Sequence, residues 1–300
     1  MFLKILLTIL FASQLSPALN TGGQILGWQT AIQEQRAGDS LISQTPQRIN
    51  KNNLGLKISA KSALIIDKNS GQILWSKNPD EKRSIASITK LMTVLVFLST
   101  TPDLKKEIAL TADDITSGSK LNVFLGEKIH LENLLNLALV NSDNNATLAL
   151  VRATGFSEQE FVKKMNDAAK KNNLNQTFFS DPIGLANGNV STAIETARLL
   201  ALASNNKLIK KILAQKNYSF TSLSGRAHSV KSTNSLLNSY LDVIMGKTGY
   251  TEDALYCFTS LIKLKNNAEV ITVVLGASSN EARFQDTKVM AEWVQNNYQW

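Results

Sequence analysis

Strand-like stretches stand near both ends of this chain, and helix-like stretches lie between them. Ser62 to Asp67 and Gln72 to Trp75 are short β-rich runs joined by Asn69-Ser70-Gly71, a hairpin signal. Far downstream, Val243 to Thr251, Ala254 to Leu264 and Glu269 to Gly276 read as an antiparallel meander, with Lys265 to Ala268 turning the chain between the last two. Residues 104 to 215 read as mostly helical, broken by turns. Within them Leu131 to Val140 is strongly apolar, Ala146 to Val151 resumes that pattern, and Glu158 to Lys171 and Thr192 to Ala203 read as helices. Asp286 to Asn297 closes the chain as an amphipathic helix. Strands that cannot bury a face alone must meet, so the sequence predicts one five-stranded antiparallel sheet built from both chain ends. The fold class is α/β of the α+β kind, with a helical subdomain inserted between the two groups of strands.

At the junction of these parts stands Arg83-Ser84-Ile85-Ala86-Ser87-Ile88-Thr89-Lys90-Leu91-Met92-Thr93. Ser87 and Lys90 are three apart where a polar stretch gives way to an apolar helix running to about Ser99, so hydroxyl and amine share a face. A serine needs a neighbouring base to become a nucleophile. A lysine serves as that base only when burial or another cation lowers its pKa. Ile88, Leu91, Met92, Val94 and Leu95 would supply the burial, and the first helical turn offers free N–H groups to an oxyanion. The same Ser-x-x-Lys spacing recurs at Ser117–Lys120 and Ser204–Lys207, where no apolar helix begins.

Asn141-Ser142-Asp143-Asn144-Asn145-Ala146 interrupts two apolar helical runs. Ser142 and Asn144, two apart, can point together into a cleft, the hydroxyl relaying a proton and the amide both donating and accepting. Lys247-Thr248-Gly249 occurs once, in a strand otherwise mostly apolar. A cation in a sheet core is costly, so an edge strand facing a cleft is expected. Lys247 and Thr248 would there hold a carboxylate, and Gly249 would let a substrate backbone lie against the strand. The three motifs follow one another at intervals of 55 and 105 residues.

Composition narrows the remaining classes. The chain has 300 residues, 43% hydrophobic and 19% charged, enough for a large core without staples. One cysteine, Cys257, allows no internal disulfide and is expected as a buried strand thiol. With it, the two histidines, His130 and His228, cannot form a histidine-rich metal site, and His130 suits a surface or capping role. The net charge of +8 favours an anionic neighbourhood such as acidic wall polymer or membrane surface. No zinc finger, aromatic RNA-binding strand or concentrated basic run points to nucleic acid. Residues 1–18 read as a secretory signal: Lys4, a short apolar core from Ile5 to Ala12, and Ser16-Pro17-Ala18 before a cut. That core is too short to span a bilayer, which needs about 20 residues. No cysteine follows for a lipid anchor. Residues 19–56, with a weak helical piece at Trp28 to Gln35, read as a mobile tether, and 57–300 as the catalytic domain.

Taken together, Ser-x-x-Lys, Ser-Asp-Asn and Lys-Thr-Gly are the trio of class A β-lactamases and penicillin-binding proteins. The chain resembles the low-molecular-weight penicillin-binding proteins, the serine D-alanyl-D-alanine carboxypeptidases of peptidase family S11. The likeness runs from about Ile58 to Trp300 and includes Asp181-Pro182-Ile183-Gly184-Leu185, Ser191-Thr192-Ala193, Gly246-Lys247-Thr248-Gly249-Tyr250-Thr251 and Val274-Leu275-Gly276-Ala277. Two departures stand out. Asp143-Asn144-Asn145-Ala146 stands where the family usually has Gly-Asn-Asp-Ala, and Leu255 where it often has glycine.

The resemblance implies the β-lactamase/transpeptidase-like fold and a peptidoglycan stem peptide ending in D-Ala-D-Ala. It implies Ser87 as nucleophile, Lys90 as base kept neutral with help from Lys247, Ser142 as proton relay and Asn144 as positioning amide. Lys247 and Thr248 would bind the terminal carboxylate, and backbone N–H groups of Ser87 and Tyr250 would form the oxyanion hole. No metal or organic cofactor is implied, and β-lactams would be covalent inhibitors. The mature chain would carry no transmembrane segment and work in the periplasm or cell wall. A D,D-endopeptidase using the same site is the main alternative, since many carboxypeptidases of the family carry a second β-rich domain and a membrane helix that do not follow here. A class A β-lactamase and an inactive wall-binding protein are further alternatives.

Overall fold

The computed structural model of the chain describes residues 45–50, 55–117 and 120–300. The secretory signal and the helical piece at Trp28 to Gln35 lie outside the described residues. Five strands form the main sheet: β1 (Ser62–Asp67), β2 (Ile73–Lys77), β3 (Asp242–Thr251), β4 (Leu255–Lys263) and β5 (Glu269–Ala277). Their order is β3-β4-β5-β1-β2, every neighbour antiparallel. The join between chain ends is the β5–β1 pair, with Val270 opposite Asp67 and Leu275 opposite Ser62. The single sheet expected from both termini is therefore present.

β1 is buried at every position because both of its faces are covered. Ala63 and Ile65 face the closing helix α7 (Asn280–Asn297) beside Phe258, Ile262, Val274, Met290 and Val294. Leu64 and Ile66 face the helical subdomain. In that subdomain α1 (Lys90–Ser99) buries residues on all sides, as expected of an apolar helix in the middle of a molecule. Around it lie α2 (Leu131–Asn136), α3 (Asn144–Ala153), α4 (Glu158–Lys171), α5 (Ala193–Asn205) and α6 (Lys207–Leu213). Capping residues set the starts: Asp143 accepts from Ala146 N, Ser157 from Glu160 N and Thr192 from Glu195 N.

The structure departs from the sequence reading in several places, the start of α7 at Asn280 instead of Asp286 among them. Ser87 lies in a tight 3-10 turn, Ala86–Thr89, and the α-helix proper starts at Lys90. The stretch 104–215 also contains a strand pair, Glu107–Ala109 with Lys128–His130. A hairpin, Asn217–Thr221 with Ala227–Lys231, went unread because its faces are only half-buried and polar residues alternate through both strands. The tether reading through residue 56 is also too long, since Gln47–Arg48 pairs antiparallel with Tyr298–Gln299. His130 immediately precedes α2 but makes no side-chain cap; its ring Nδ1 lies 2.6 Å from Lys105 O. Among the described residues no helix is long and apolar enough to cross a membrane.

Candidate active site

The three motifs meet where the sheet edge faces the helical subdomain. Lys90 Nζ lies 2.9 Å from Ser87 Oγ, 2.7 Å from Asn144 Oδ1 and 2.6 Å from Ile183 O. Its side chain is fully buried, and burial lowers its pKa to about 7, against the opposing pull of Asp143 and Asp181. Lys90 Nζ donates to all three, Asn144 Oδ1, Ile183 O and Ser87 Oγ. In the neutral form the two carbonyl oxygens, which only accept, would take both amine hydrogens and leave the lone pair toward the Ser87 hydroxyl.

Ile183 reaches Lys90 because Asp181 folds the 181–189 loop around its own carboxylate. That carboxylate accepts from Ile183 N at 2.7 Å, from Gly184 N and Ala186 N at 2.6 Å, and from Asn189 Nδ2 at 2.8 Å. Thr93 Oγ1 donates to Pro182 O at 2.5 Å, fastening the same loop to α1. Sequence comparison marked this turn; the carbonyl it delivers was not read.

Ser142 is presented by a local widening of the helix. After α2 the chain continues as a π-helical turn, Leu137–Asn141, and Ser142 takes a left-handed conformation with φ of 62°. The N–H groups of Ser142 and Asp143 both return to Leu137 O. A non-glycine residue at positive φ is strained, and such strain concentrates at functional sites. Asp143, where the family usually has glycine, caps α3 and accepts from Asn122 Nδ2 at 2.6 Å. Asn145 accepts from Thr116 N at 2.9 Å. The altered motif thus holds the connection between Asp114 and Lys128 at two points, Thr116 and Asn122.

On the facing edge strand, Lys247 is buried; its Nζ donates to Ser142 Oγ at 2.8 Å and to Thr248 O at 3.0 Å. An exposed edge lysine is thereby excluded, and an edge strand facing the cleft is what β3 forms. Burial pushes the Lys247 pKa well below its ordinary value, followed by the charges of Lys90 and Arg283. The like charge expected to help keep Lys90 neutral acts instead on Lys247: burial alone lowers the Lys90 pKa, and Lys90 lowers that of Lys247. Thr248 Oγ1 lies 2.6 Å from Thr233 Oγ1. Tyr250 is half-exposed and stacks on Tyr256 with centroids 4.4 Å apart.

Gly249 is glycine for a reason the sequence did not give. A Cβ there would stand 2.6 Å from Ile85 O and 3.2 Å from Ser87 N. It allows the Ala86–Thr89 turn that holds Ser87, before any substrate, to lie against β3. Arg283, also unread, donates from Nη1 to Gly249 O at 3.0 Å and is buried. Cys257 is buried, and burial raises its thiol to about 11, so it is a packing residue as expected. Leu255 holds φ of 55°, which explains the glycine common in the family. Ser204 ends α5 with its hydroxyl on Ala201 O; contrary to the expectation that no apolar helix begins there, α6 starts at Lys207 and buries Ile209, Ile212 and Leu213. Ser117–Lys120 spans positions outside the described residues. Among the described residues no three histidine, cysteine or carboxylate side chains cluster as metal ligands.

Residues 46–279 match the D-alanyl-D-alanine carboxypeptidase family, peptidase family S11. The D-alanyl-D-alanine carboxypeptidase DacF of Bacillus subtilis is 32% identical over 246 residues, covering 80% of this chain and 63% of that protein. A D-alanyl-D-alanine endopeptidase of Pseudomonas aeruginosa is 31% identical over 249 residues, covering 80% of this chain and 78% of its own. The chain therefore spans less than two thirds of the Bacillus relative and more of the Pseudomonas one. A crystal structure of a Streptomyces DD-transpeptidase superposes with a TM-score of 0.76 at 26% identity, over 81% of this chain and 99% of that one. Since the matched region contains all three motifs and both layers that carry them, the chain belongs to the D-alanyl-D-alanine carboxypeptidase family, peptidase family S11.

Proposed function

We propose that the protein is a serine D-alanyl-D-alanine carboxypeptidase that removes the terminal D-alanine from peptidoglycan stem pentapeptides. The observation that carries this reading is the Lys90 amine, with two carbonyl acceptors on its hydrogens and Ser87 Oγ beside it. Neutral Lys90 takes the Ser87 proton as Oγ attacks the penultimate carbonyl. Lys247 and Thr248 hold the terminal carboxylate, and Gly249 and Tyr250 line the same strand. Backbone N–H groups of Ser87 and Tyr250 receive the oxyanion, each such donor contributing about 3 kcal/mol in the transition state. Ser142, bonded to Lys247, passes a proton to the leaving D-alanine, and Asn144 aligns the substrate amide. Water then frees the acyl group from Ser87. The route draws on no metal or organic cofactor. The catalytic unit is taken as 57–300, and residues 1–18 as a leader for export to the periplasm or wall.

Labelling with a fluorescent penicillin tests the nucleophile. Ser87→Ala, checked for folding by its melting transition, is expected to take up no label, while Ser117→Ala and Ser204→Ala label as wild type. Normal labelling of folded Ser87→Ala would remove the assignment. A second reading, D,D-endopeptidase, is supported by the longer share of the Pseudomonas endopeptidase that this chain covers. Digestion of purified muropeptides separates the two. Loss of one D-alanine from pentapeptide monomers marks the carboxypeptidase; conversion of cross-linked dimers to monomers marks the endopeptidase.

A further inference from the structure

Among the described residues, four of the nine exposed large apolar side chains gather at one place. Leu121, Phe124, Leu125 and Leu223 are 44%, 48%, 56% and 46% exposed. They sit on two loops that the structure fastens together. Leu223 N donates to Lys128 O at 3.2 Å, and the Arg226 guanidinium lies 4.3 Å from the Phe124 ring centroid. Beneath them His228 Nε2 lies 2.8 Å from Glu127 Oε1, both side chains buried, and Glu127 also accepts from Phe124 N at 3.0 Å. Gly126 and Gly225, at φ of 76° and 82°, let each loop reverse at the tip.

The exposed charges within the two loops are cationic, with the exposed Asp113 flanking them after Leu110, whose carbonyl accepts from Gly126 N. Lys120, Lys128 and Arg226, in the same two segments as the apolar side chains, are exposed. The only acid within 120–128 and 222–231 is Glu127, which is buried against His228. An apolar cap ringed by cations complements a surface that is anionic outside and apolar just beneath. A saccharide would call for flat aromatic faces with hydrogen-bonding groups, and three of these four side chains are leucines. A soluble polyanion would leave the apolar cap unused. The tip also borders the cleft: Asn122 donates to Asn141 Oδ1 at 3.0 Å and to Asp143 Oδ2 at 2.6 Å, on either side of Ser142.

We propose that this tip docks on an anionic lipid bilayer. Leu121, Phe124, Leu125 and Leu223 enter between headgroups, and the surrounding lysines and Arg226 meet lipid phosphates. Docking sets the mouth of the cleft beside the membrane plane. The reading is independent of what the cleft cleaves.

The test uses the full chain, so that any leader acts equally in every variant. Leu125→Cys is labelled with a polarity-sensitive dye, with Lys265→Cys, in the turn between β4 and β5, as control. The buried Cys257 thiol does not compete. With vesicles of equal parts phosphatidylglycerol and phosphatidylcholine, the Leu125 label is expected to shift to the blue and be quenched by brominated lipid, while the Lys265 label is not. The double variant Phe124→Ser/Leu125→Ser is expected to bind about tenfold more weakly. Each of Lys120→Gln, Lys128→Gln and Arg226→Gln is expected to lose about fivefold. Unchanged penicillin labelling of all variants confirms that they fold. A silent Leu125 label on vesicle-bound chain would overturn the proposal. So would an equal shift with soluble polyphosphate, or a shift without vesicles accompanied by a dimer that the double variant abolishes.

Discussion

At the scale of single residues, the proposed mechanism turns on Lys90. With a pKa of about 7 its amine is mostly neutral above that pH and a cation below, so it could serve as the proposed base only above neutrality. The acylation rate constant is therefore expected to fall about tenfold per pH unit below roughly pH 7 and to level off above it, measured by stopped-flow penicillin acylation. Lys90→Arg is expected to be inactive, since arginine keeps its proton at any working pH; appreciable acylation in that variant would remove Lys90 as the base. Lys247→Ala is expected to weaken acylation by substrates with a free terminal carboxylate at least tenfold more than by amidated analogues. Equal losses on both would assign Lys247 to tuning Lys90 instead. The residues named here were legible because chemistry fixes their types and spacing. Ile183 was not legible in the same way, because it contributes a backbone carbonyl that any side chain could carry. Arg283 was also missed, since it precedes Asp286, where the closing helix was expected to start, and it meets β3 only through the first turn that the helix actually has.

At the scale of elements, the site is held by two unusual pieces of backbone. One is the π-helical turn that carries Ser142; the other is the close approach of the 181–189 loop to the turn holding Ser87. Gly184, at φ of 84°, has no room for a side chain: a Cβ would stand 2.1 Å from Ala86 O. Gly184→Ala is expected to cost about 3 kcal/mol or more, because the clash is with backbone on both sides. It is also expected to slow acylation by moving Ile183 O off Lys90. A denaturant melt and a penicillin acylation rate on the same sample check both effects. Long apolar runs such as α1 were readable from periodicity, and the meander was readable to within a residue or two at its ends. The hairpin at 217–231 was not, because alternating half-buried positions with serine and asparagine between them give little contrast. Tyr218, Phe220 and Gly225 were the signals that could have found it.

At the scale of the whole molecule, the sheet and the helical subdomain meet at Ser87, and the fate of the proposed acyl-enzyme depends on water. A class A β-lactamase would supply a glutamate between the second and third motifs. The three glutamates available here are placed elsewhere: Glu158 and Glu160 are exposed in the first turn of α4, and Glu195 accepts from Gln176 N and Thr177 Oγ1. Penicillin is therefore expected to leave a one-to-one adduct on Ser87 that persists for minutes or longer by intact-protein mass spectrometry. Rapid loss of the adduct with consumption of excess penicillin would make the protein a β-lactamase. The order β3-β4-β5-β1-β2 has a further consequence, in time instead of space. β1 sits between a strand formed nearby in sequence and one formed some two hundred residues later. Until β5 emerges and pairs with it, β1 has an open edge, and Ser87 has no β3 to lie against. Loop closure over such distances is slow. During synthesis the growing chain therefore holds Ser87 and Lys90 long before β3 exists to face them, and the proposed nucleophile and base come together with Lys247 only when the last strands arrive.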